Sequence, residues 1–372
     1  MNVRAIPITL ASALLVAACG TSSGLRVENS GRTVRVTKPA GHQPRVDSLN
    51  AVAFVSSTRG WAGGKDAIIA TADGGTTWTQ QYAGRAEIGS LDFTDDQHGW
   101  AVASASLLRT TDGGATWSAA SEPAGLVLTG VDFVTSEQGW GIALPAGDIG
   151  APVVGALVST TDGGTSWSVV KSGVGNSLCV SGGTMVAGAG SRVLRSTDGG
   201  MTWTSLLDAA TDRNTWMGAT VQCPVGSSIW VLFDGGAAAG SQGYAVYASA
   251  DAGASWRPVV VAPILAGSDP AFRGVTQLDA YSGPFAAVSA TQAVFLGQCP
   301  GCDPQRVMVL RTQDGGSRWD RHVINGFVPT ALAFADADHG WLATQLGGYP
   351  GRHPAILATT DGGRTWHPVY PS

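Results

Sequence analysis

Short apolar stretches, each followed by a polar turn and a second apolar stretch, recur along most of the chain. In five places a hydrophobic residue stands seven positions before a tryptophan: Phe54 and Trp61, Phe93 and Trp100, Phe133 and Trp140, Cys223 and Trp230, Phe334 and Trp341. The pairs Cys179 and Val186, and Val288 and Phe295, keep this spacing with other residues. Short apolar runs bounded by turn residues are typical of strands, so each pair predicts strand, turn and strand.

A second motif follows each of these strand pairs. Seven segments match or nearly match Ser/Thr-x-Asp-x-Gly-x-Thr/Ser-Trp: Thr71–Trp78, Thr110–Trp117, Thr160–Trp167, Ser196–Trp203, Ser249–Trp256, Thr312–Trp319 and Thr359–Trp366. They recur at intervals of roughly 36 to 63 residues, which lie around the length of propeller blades.

Each position of this second motif has a structural reason. Asp accepts backbone N–H bonds within a tight turn, and Gly permits a positive φ. The hydroxyls tie the flanking strands together, and the Trp buries a large apolar face. We therefore interpret this motif, the Asp box, as a self-folding hairpin with a structural Asp: Asp73, Asp112, Asp162, Asp198, Asp251, Asp314 and Asp361.

The two motifs together predict an all-β fold, a seven-bladed β-propeller of four-stranded antiparallel blades over residues 48–372. In the first blade, the predicted strands A to D are Ala51–Phe54, Gly60–Ala62, Ala67–Ala70 and Thr77–Gln81. Fifty-two glycines and 13% charged residues suit short strands joined by tight turns. How the ring closes stays open, and the short apolar stretch at Val34–Val36 is a candidate extra outer strand.

The first residues predict export. Arg4 precedes a short apolar stretch, Ile6–Ala18, that is too short to span a bilayer. It ends in Val-Ala-Ala before Cys19, which resembles the lipobox of bacterial lipoproteins. We expect residues 1–18 to be a signal peptide, Cys19 to carry acyl chains, and residues 19–47 to be a tether. This places the protein on the outer face of the bacterial cell membrane, with lipid as one partner. An ordinary secretory signal with a chance Cys is the alternative.

The other four cysteines form an even set, as expected in an oxidising compartment. Cys179 and Cys223 occupy neighbouring inner strands and are predicted to pair, and Cys299 and Cys302 are predicted to close a small loop. The alternatives are buried packing residues for the first pair, and a redox or metal-binding CxxC for the second.

The GW-containing strands LDFTDDQHGWAV and LAFADADHGWLAT, with the Asp boxes, resemble the BNR/Asp-box propellers of the photosystem II stability and assembly factor type. The resemblance implies the propeller fold and, for the photosynthetic members, a non-catalytic chaperone that holds a membrane-protein subunit through an Arg-rich patch. Sialidases, xyloglucanases and sortilin-like receptors also carry Asp boxes, so the resemblance leaves function open.

No catalytic, cofactor or metal set is expected. Glu is scarce in the repeats, and a glycosidase needs two carboxylates that face one cleft. His98 and His339 occupy equivalent turns, and we interpret them as structural residues of those turns rather than as metal ligands. The formal net charge of −5, with Lys only at Lys38, Lys65 and Lys171, argues against nucleic-acid binding.

Binding is expected on the face formed by the loops between strands B and C and between strands D and A. The candidate residues are Arg213, Trp216, Phe272, Arg273, Tyr349 and Arg352. Twelve of the thirteen tryptophans fall in the two motifs as core residues, which leaves Trp216 as an expected interface anchor. We expect a non-catalytic scaffold for an exported or membrane protein. The alternative is a carbohydrate-binding or glycan-processing propeller.

Overall fold

Strands supply nearly all of the regular secondary structure in the described part of the chain. The computed structural model describes residues 34–35, 44–104, 106–147, 154–210, 216–224, 226–238, 240–299, 301–302, 306–325, 327–347 and 351–371. No helix in these ranges is long and apolar enough to cross a membrane. Cys19, Arg213 and Tyr349 lie outside the described residues, as do the whole predicted signal peptide and most of the tether.

The strands of the N-terminal half form three antiparallel sheets. The first sheet contains β1 (Val34–Arg35), β2 (Ala51–Phe54), β3 (Gly60–Thr71), β4 (Thr79–Phe93), β5 (Gly99–Ala103), β6 (Ser106–Thr110) and β7 (Thr116–Ala120), in the order β1-β7-β6-β5-β4-β3-β2. The second contains β8 (Leu126–Phe133), β9 (Gly139–Pro145), β10 (Gly155–Thr160) and β11 (Ser168–Gly175). The third contains β12 (Ser177–Ser181), β13 (Thr184–Ala189), β14 (Arg192–Ser196) and β15 (Thr204–Asp208).

The C-terminal half forms three more sheets. The fourth contains β16 (Gly218–Gln222), β17 (Ile229–Ala238), β18 (Ser241–Ser249), β19 (Arg257–Val261) and the parallel edge strand β20 (Thr276–Gln277). Helix α1 (Pro263–Ala266) and a 3₁₀ turn (Pro270–Phe272) lie between β19 and β20. The fifth contains β21 (Tyr281–Ala287), β22 (Ala293–Cys299), β23 (Arg306–Thr312) and β24 (Asp320–Asn325). The sixth contains β25 (Phe327–Phe334), β26 (Gly340–Leu346), β27 (His353–Thr359) and β28 (His367–Tyr370).

The propeller class and the four-stranded antiparallel blades are as predicted, but the count of seven blades was wrong. The described residues form six hydrogen-bonded sheets, because β4 pairs with β3 through its first half and with β5 through its second half. The first two repeats are thereby joined into one sheet, which carries two Asp-box hairpins. Below, repeats are numbered one to seven by their Asp boxes, from Asp73 to Asp361.

Neighbouring repeats pack through a recurring aromatic pair. The Trp on strand B of one repeat stacks on the Phe at the end of strand A, the inner strand, of the next repeat. The ring centroids are 3.5 Å apart for Trp61 and Phe93 and for Trp100 and Phe133. The same indoles donate to the next Asp box, at 3.0 Å from Trp61 Nε1 to the Gly113 oxygen and 2.9 Å from Trp100 Nε1 to the Gly163 oxygen. Each of these tryptophans is therefore both a core residue and a hydrogen-bonding link between repeats.

Arginine supplies this link in other repeats. Arg195 Nη1 donates to the Ala252 oxygen at 3.3 Å, and Arg311 Nε donates to the Gly362 oxygen at 2.7 Å. Arg257 Nη2 donates to the Gly315 oxygen. In every case the acceptor is the carbonyl that directly follows the Asp of the box. The box that stabilises one hairpin thus also joins it to the repeat before it.

The same aromatic stack and the same hydrogen bond from an indole to an Asp-box carbonyl close the ring between repeats seven and one. Trp341 stacks on Phe54 at 3.5 Å, and its Nε1 donates to the Gly74 oxygen at 2.9 Å. Thr330 Oγ1 donates to the Leu49 oxygen at 2.7 Å. In the described residues the sixth sheet is built wholly from C-terminal strands, so the ends of the ring meet by packing rather than by strand exchange. The candidate strand near Val34 is present and pairs with β7 at the edge of the first sheet.

The inner strands of different repeats are linked by a side chain that stands at one equivalent position of the strand. The Asp92 carboxylate accepts the N–H of Phe133 at 2.8 Å, and the Asp132 carboxylate accepts the N–H of Val180 at 2.8 Å. Gln222 Oε1 accepts the N–H of Ala287 at 2.7 Å. The equivalent position in repeat four is a disulfide-bonded cysteine, as described below. Three repeats carry alanine there, at Ala53, Ala286 and Ala333.

Candidate functional site

The Asp boxes fold as the sequence predicted. In the first, Asp73 Oδ1 accepts the Thr71 hydroxyl at 2.9 Å and the Thr77 N–H at 2.8 Å, and Oδ2 accepts the Thr77 hydroxyl at 2.7 Å. The N–H of Gly75 returns to Thr71 Oγ1 at 2.8 Å. The carboxylates of the other six boxes accept the equivalent hydroxyl and N–H, as at Asp112, Asp162, Asp198, Asp251, Asp314 and Asp361. These seven carboxylates are structural.

The same bonds keep these carboxylates ionised. The hydroxyl and N–H of Ser166, with the Thr160 hydroxyl, lower the pKa of Asp162 to about 2. The corresponding donors around Asp198 and Asp251 also lower the pKa to about 2. Hydrogen bonds that favour the charged form have this effect. A general acid at neutral pH needs a raised pKa, so these Asp residues are unsuited to that role.

The acidic turns between strands A and B also carry structural bonds. Asp95 accepts the N–H of His98 at 2.7 Å and contacts His98 Nδ1, and Asp336 makes the same contacts with His339. Glu137 pairs with Arg109 at 3.2 Å. Within the described ranges, no group of three or more His, Cys, Asp or Glu residues is arranged to hold a metal ion.

Two residues expected to anchor a partner are buried instead, which corrects the predicted binding face. Trp216 is 7% exposed, since its Nε1 donates to the Ala209 oxygen at 2.7 Å and its ring packs beside Phe233. Phe272 is fully buried, because the 3₁₀ turn directs it against Tyr247. Neither side chain is available as an exposed anchor.

Other apolar side chains are exposed on the same face, which we call the loop-rich face. Met217 directly precedes the inner strand β16 and is 62% exposed, and Ile264 in α1 is 53% exposed. Of the two predicted arginines that are described, Arg273 is exposed beside the 3₁₀ turn and Arg352 is half-buried between β26 and β27. The exposed apolar side chains of these loops are therefore Met217 and Ile264, and not Trp216 and Phe272.

A polar cluster lies between repeats five and six, toward the loop-rich face. Ser282 Oγ donates to Asp234 Oδ1 at 3.0 Å, and Gln242 Nε2 donates to the same oxygen at 3.3 Å. Burial raises the pKa of Asp234 to about 6, against the lowering effect of these two bonds. The sequence does not mark this carboxylate, because its two partners lie on two other strands, β18 and β21.

Both predicted disulfides are present. Cys179 and Cys223 join the inner strands of repeats four and five, with their Cα atoms 5.9 Å apart. On the inner strand of repeat four, Cys179 lies opposite Val186, just as Asp92 in repeat two lies opposite Trp100. The Cys179–Cys223 disulfide therefore occupies the position at which a hydrogen bond links other inner strands. Cys299 and Cys302 close a short loop, with Cα atoms 5.4 Å apart. Both separations lie within the range that a disulfide allows.

Asp-box hairpins, inner-strand Phe residues and GW strands arranged in a ring of antiparallel sheets define a BNR/Asp-box β-propeller. The sequence model of the family described as photosynthesis system II assembly factor YCF48 matches residues 85–179. The solved structure described as YCF48 bound to D1 peptide is similar, with a TM-score of 0.58 and 20% identity over 90% of this chain and 97% of that one. These two likenesses agree with the BNR/Asp-box propeller fold that the sequence resemblance indicated.

Glycoside hydrolase propellers share the architecture at lower similarity. An ancestral GH74 enzyme matches with a TM-score of 0.56 and 12% identity, over 88% of this chain and 55% of that one. A GH74 xyloglucanase from Xanthomonas campestris matches with a TM-score of 0.47 and 15% identity, over 86% and 60% of the two chains. No curated protein sequence matches the chain. These likenesses concern the fold.

Proposed function

We propose that the protein is a non-catalytic, membrane-anchored scaffold on the outer face of the membrane, where it binds an extended segment of another exported or membrane protein. The observation that carries this proposal is the similarity, over nearly the full length of both chains, to a propeller described with a bound D1 peptide. The commitment of the Asp-box carboxylates to hairpins supports a binding rather than a catalytic role. The proposal names a class of partner and implies no link to photosynthesis.

We place the contact on the loop-rich face around Met217, Ile264 and Arg273. Methionine and arginine are enriched at protein interfaces, and exposed apolar side chains on loops held by a rigid scaffold are suited to a partner. The opposite face is formed by the short, repetitive Asp-box turns. Arg213 and Tyr349 remain candidates on the loop-rich face by their sequence positions.

Affinity capture after crosslinking in intact membranes tests this assignment. We expect Met217→Asp with Ile264→Asp to lower recovery of the partner at least tenfold, because two charges would be placed in an apolar contact. Val169→Asp is the matched control, since Val169 is 54% exposed but lies on the outer strand β11. Equal recovery with both proteins would refute the assignment to this face. Failure to capture any protein, together with binding on a glycan array, would instead favour the carbohydrate-binding alternative.

The membrane anchor is proposed from Cys19 and the apolar stretch before it. Several acyl chains on one residue anchor a protein stably, whereas one chain gives marginal binding. Cys19→Ser is expected to release the protein from the membrane or to leave the precursor uncleaved. Fractionation and acyl labelling measure this outcome, and unchanged membrane retention with normal labelling would contradict it.

A further inference from the structure

The Cys299–Cys302 disulfide lies in a turn that has its own backbone support. The N–H of Cys302 donates to the Cys299 oxygen at 3.1 Å, which closes a four-residue turn. The sequence between the cysteines is Pro-Gly, a dipeptide that favours turns. The turn is therefore expected to persist when the disulfide is reduced.

The two disulfides differ in their access to solvent. Cys179 is fully buried and Cys223 is 6% exposed, between two inner strands of the propeller. Cys299 and Cys302 are both partly exposed at the end of β22, and Gly301 beside them is exposed. A thiol in solution can therefore approach the second disulfide while the fold stays closed around the first.

An arginine stands directly opposite one cysteine of this accessible disulfide. Arg306 is the cross-strand partner of Cys299 on β23, and Cβ atoms of directly opposite residues are about 5 Å apart. Arg306 Nε is held by Asp279 Oδ2 at 3.2 Å, and Asp279 is itself buried. A nearby arginine stabilises a thiolate, although the Asp279 carboxylate reduces the effect.

The geometry points to a further activity: Cys299 and Cys302 form an exchangeable redox pair that reacts with the cysteine pair of a dithiol protein. A thiolate of that protein attacks Cys302 Sγ and forms an intermolecular disulfide. The Cys299–Cys302 bond breaks, and its electron pair goes to Cys299 Sγ as a thiolate beside Arg306. The second thiolate of the partner then attacks the mixed disulfide and releases Cys302 Sγ.

The exchange is balanced in atoms and electrons. The dithiol partner loses two electrons and becomes a disulfide, while Cys299 and Cys302 gain two electrons. The two protons from the partner's thiols end on the two released cysteine thiolates. In the reverse direction the reduced pair reduces a disulfide of the partner. No oxidant or reductant is needed beyond these two cysteine pairs.

Reduction of the folded, full-length protein by dithiothreitol tests the proposal, with alkylation and peptide mass spectrometry as the readout. We expect Cys299 and Cys302 to become alkylated at least tenfold faster than Cys179 and Cys223, with the near-ultraviolet circular dichroism unchanged. Simultaneous loss of both disulfides, or loss of the second only upon unfolding, would overturn the proposal and leave the bond as a structural link.

The role of Arg306 in the exchange is tested separately. Arg306→Gln is expected to slow the reduction about threefold, as for a leaving thiol whose pKa rises by about one unit, and Arg306→Lys should restore the rate. Arg192→Gln is the matched control, because Arg192 begins strand β14 as Arg306 begins β23 and faces Ala189 rather than a cysteine. Equal rates for Arg306→Gln and Arg192→Gln would contradict the assigned role.

Discussion

At the scale of single residues, the aspartates show which roles can be predicted from sequence. The Asp-box carboxylates were predicted correctly because each one bonds to residues two and four positions away, so the motif contains its own partners. Asp234 could not be assigned in this way. Its partner Ser282 is 48 positions distant in the sequence, and only the packing of repeats five and six brings them together.

Asp234 is expected to make stability depend on pH. Its pKa of about 6 in the folded protein lies above the value of an unfolded Asp, near 4, so the folded state binds the proton more tightly. Stability is therefore lost as pH rises from about 4 to about 6, by up to about 3 kcal/mol. Asp234→Asn, which cannot ionise and keeps an acceptor for Ser282, should raise the melting temperature at pH 8.

The effect of Asp234→Asn should shrink toward zero at pH 4, where Asp234 is protonated in the folded protein. Thermal unfolding at both pH values, followed by circular dichroism, measures the difference. An equal or larger gain for Asp234→Asn at pH 4 than at pH 8 would contradict the explanation.

At the scale of strands and hairpins, local patterns were sufficient for the hairpins but not for the sheets. The Asp-box turns and the strand pairs before them were predicted from spacing alone. The continuity of β4 from Thr79 to Phe93 was not, because it depends on how the last strand of repeat one leads into the first strand of repeat two. The blade count was wrong for that reason, although all seven hairpins are present.

The two disulfides should differ in their contribution to stability. The bond between Cys179 and Cys223 closes a separation of 44 residues, which corresponds to about 4 kcal/mol in the chain-entropy model. Cys179→Ala with Cys223→Ala should therefore lower the free energy of unfolding by about this amount. Cys299→Ala with Cys302→Ala removes a bond across a separation of 3 and should cost less. Chemical denaturation under non-reducing conditions measures both values, and a larger loss for the second pair would refute this ranking.

At the scale of the whole molecule, the links between repeats account for the closed ring. An indole or guanidinium group from one repeat reaches the Asp-box carbonyl of the next, and Trp341 does so across the junction of the chain ends. The sequence indicated that the tryptophans are core residues, but it did not reveal this second role. The acceptor is a backbone carbonyl and carries no sequence signal.

On the loop-rich face, too, the sequence did not predict the surroundings of individual side chains. Trp216 was expected to be exposed because it lies outside the repeated motifs, yet the Ala209 oxygen satisfies its indole and the ring is buried. Its neighbour Met217, which has no motif to mark it, is the exposed side chain. Position outside a repeat predicts a loop but does not predict which way a side chain points.

The central claim is that the loop-rich face contacts a protein, and site-specific photo-crosslinking in intact cells tests it most directly. A photo-reactive amino acid is placed at Ile264 on the loop-rich face or at Val169 on outer strand β11, positions that are 53% and 54% exposed. We predict that illumination yields a discrete protein adduct from position 264 and none from position 169. Adducts from position 169 alone, or from neither position, would contradict the account.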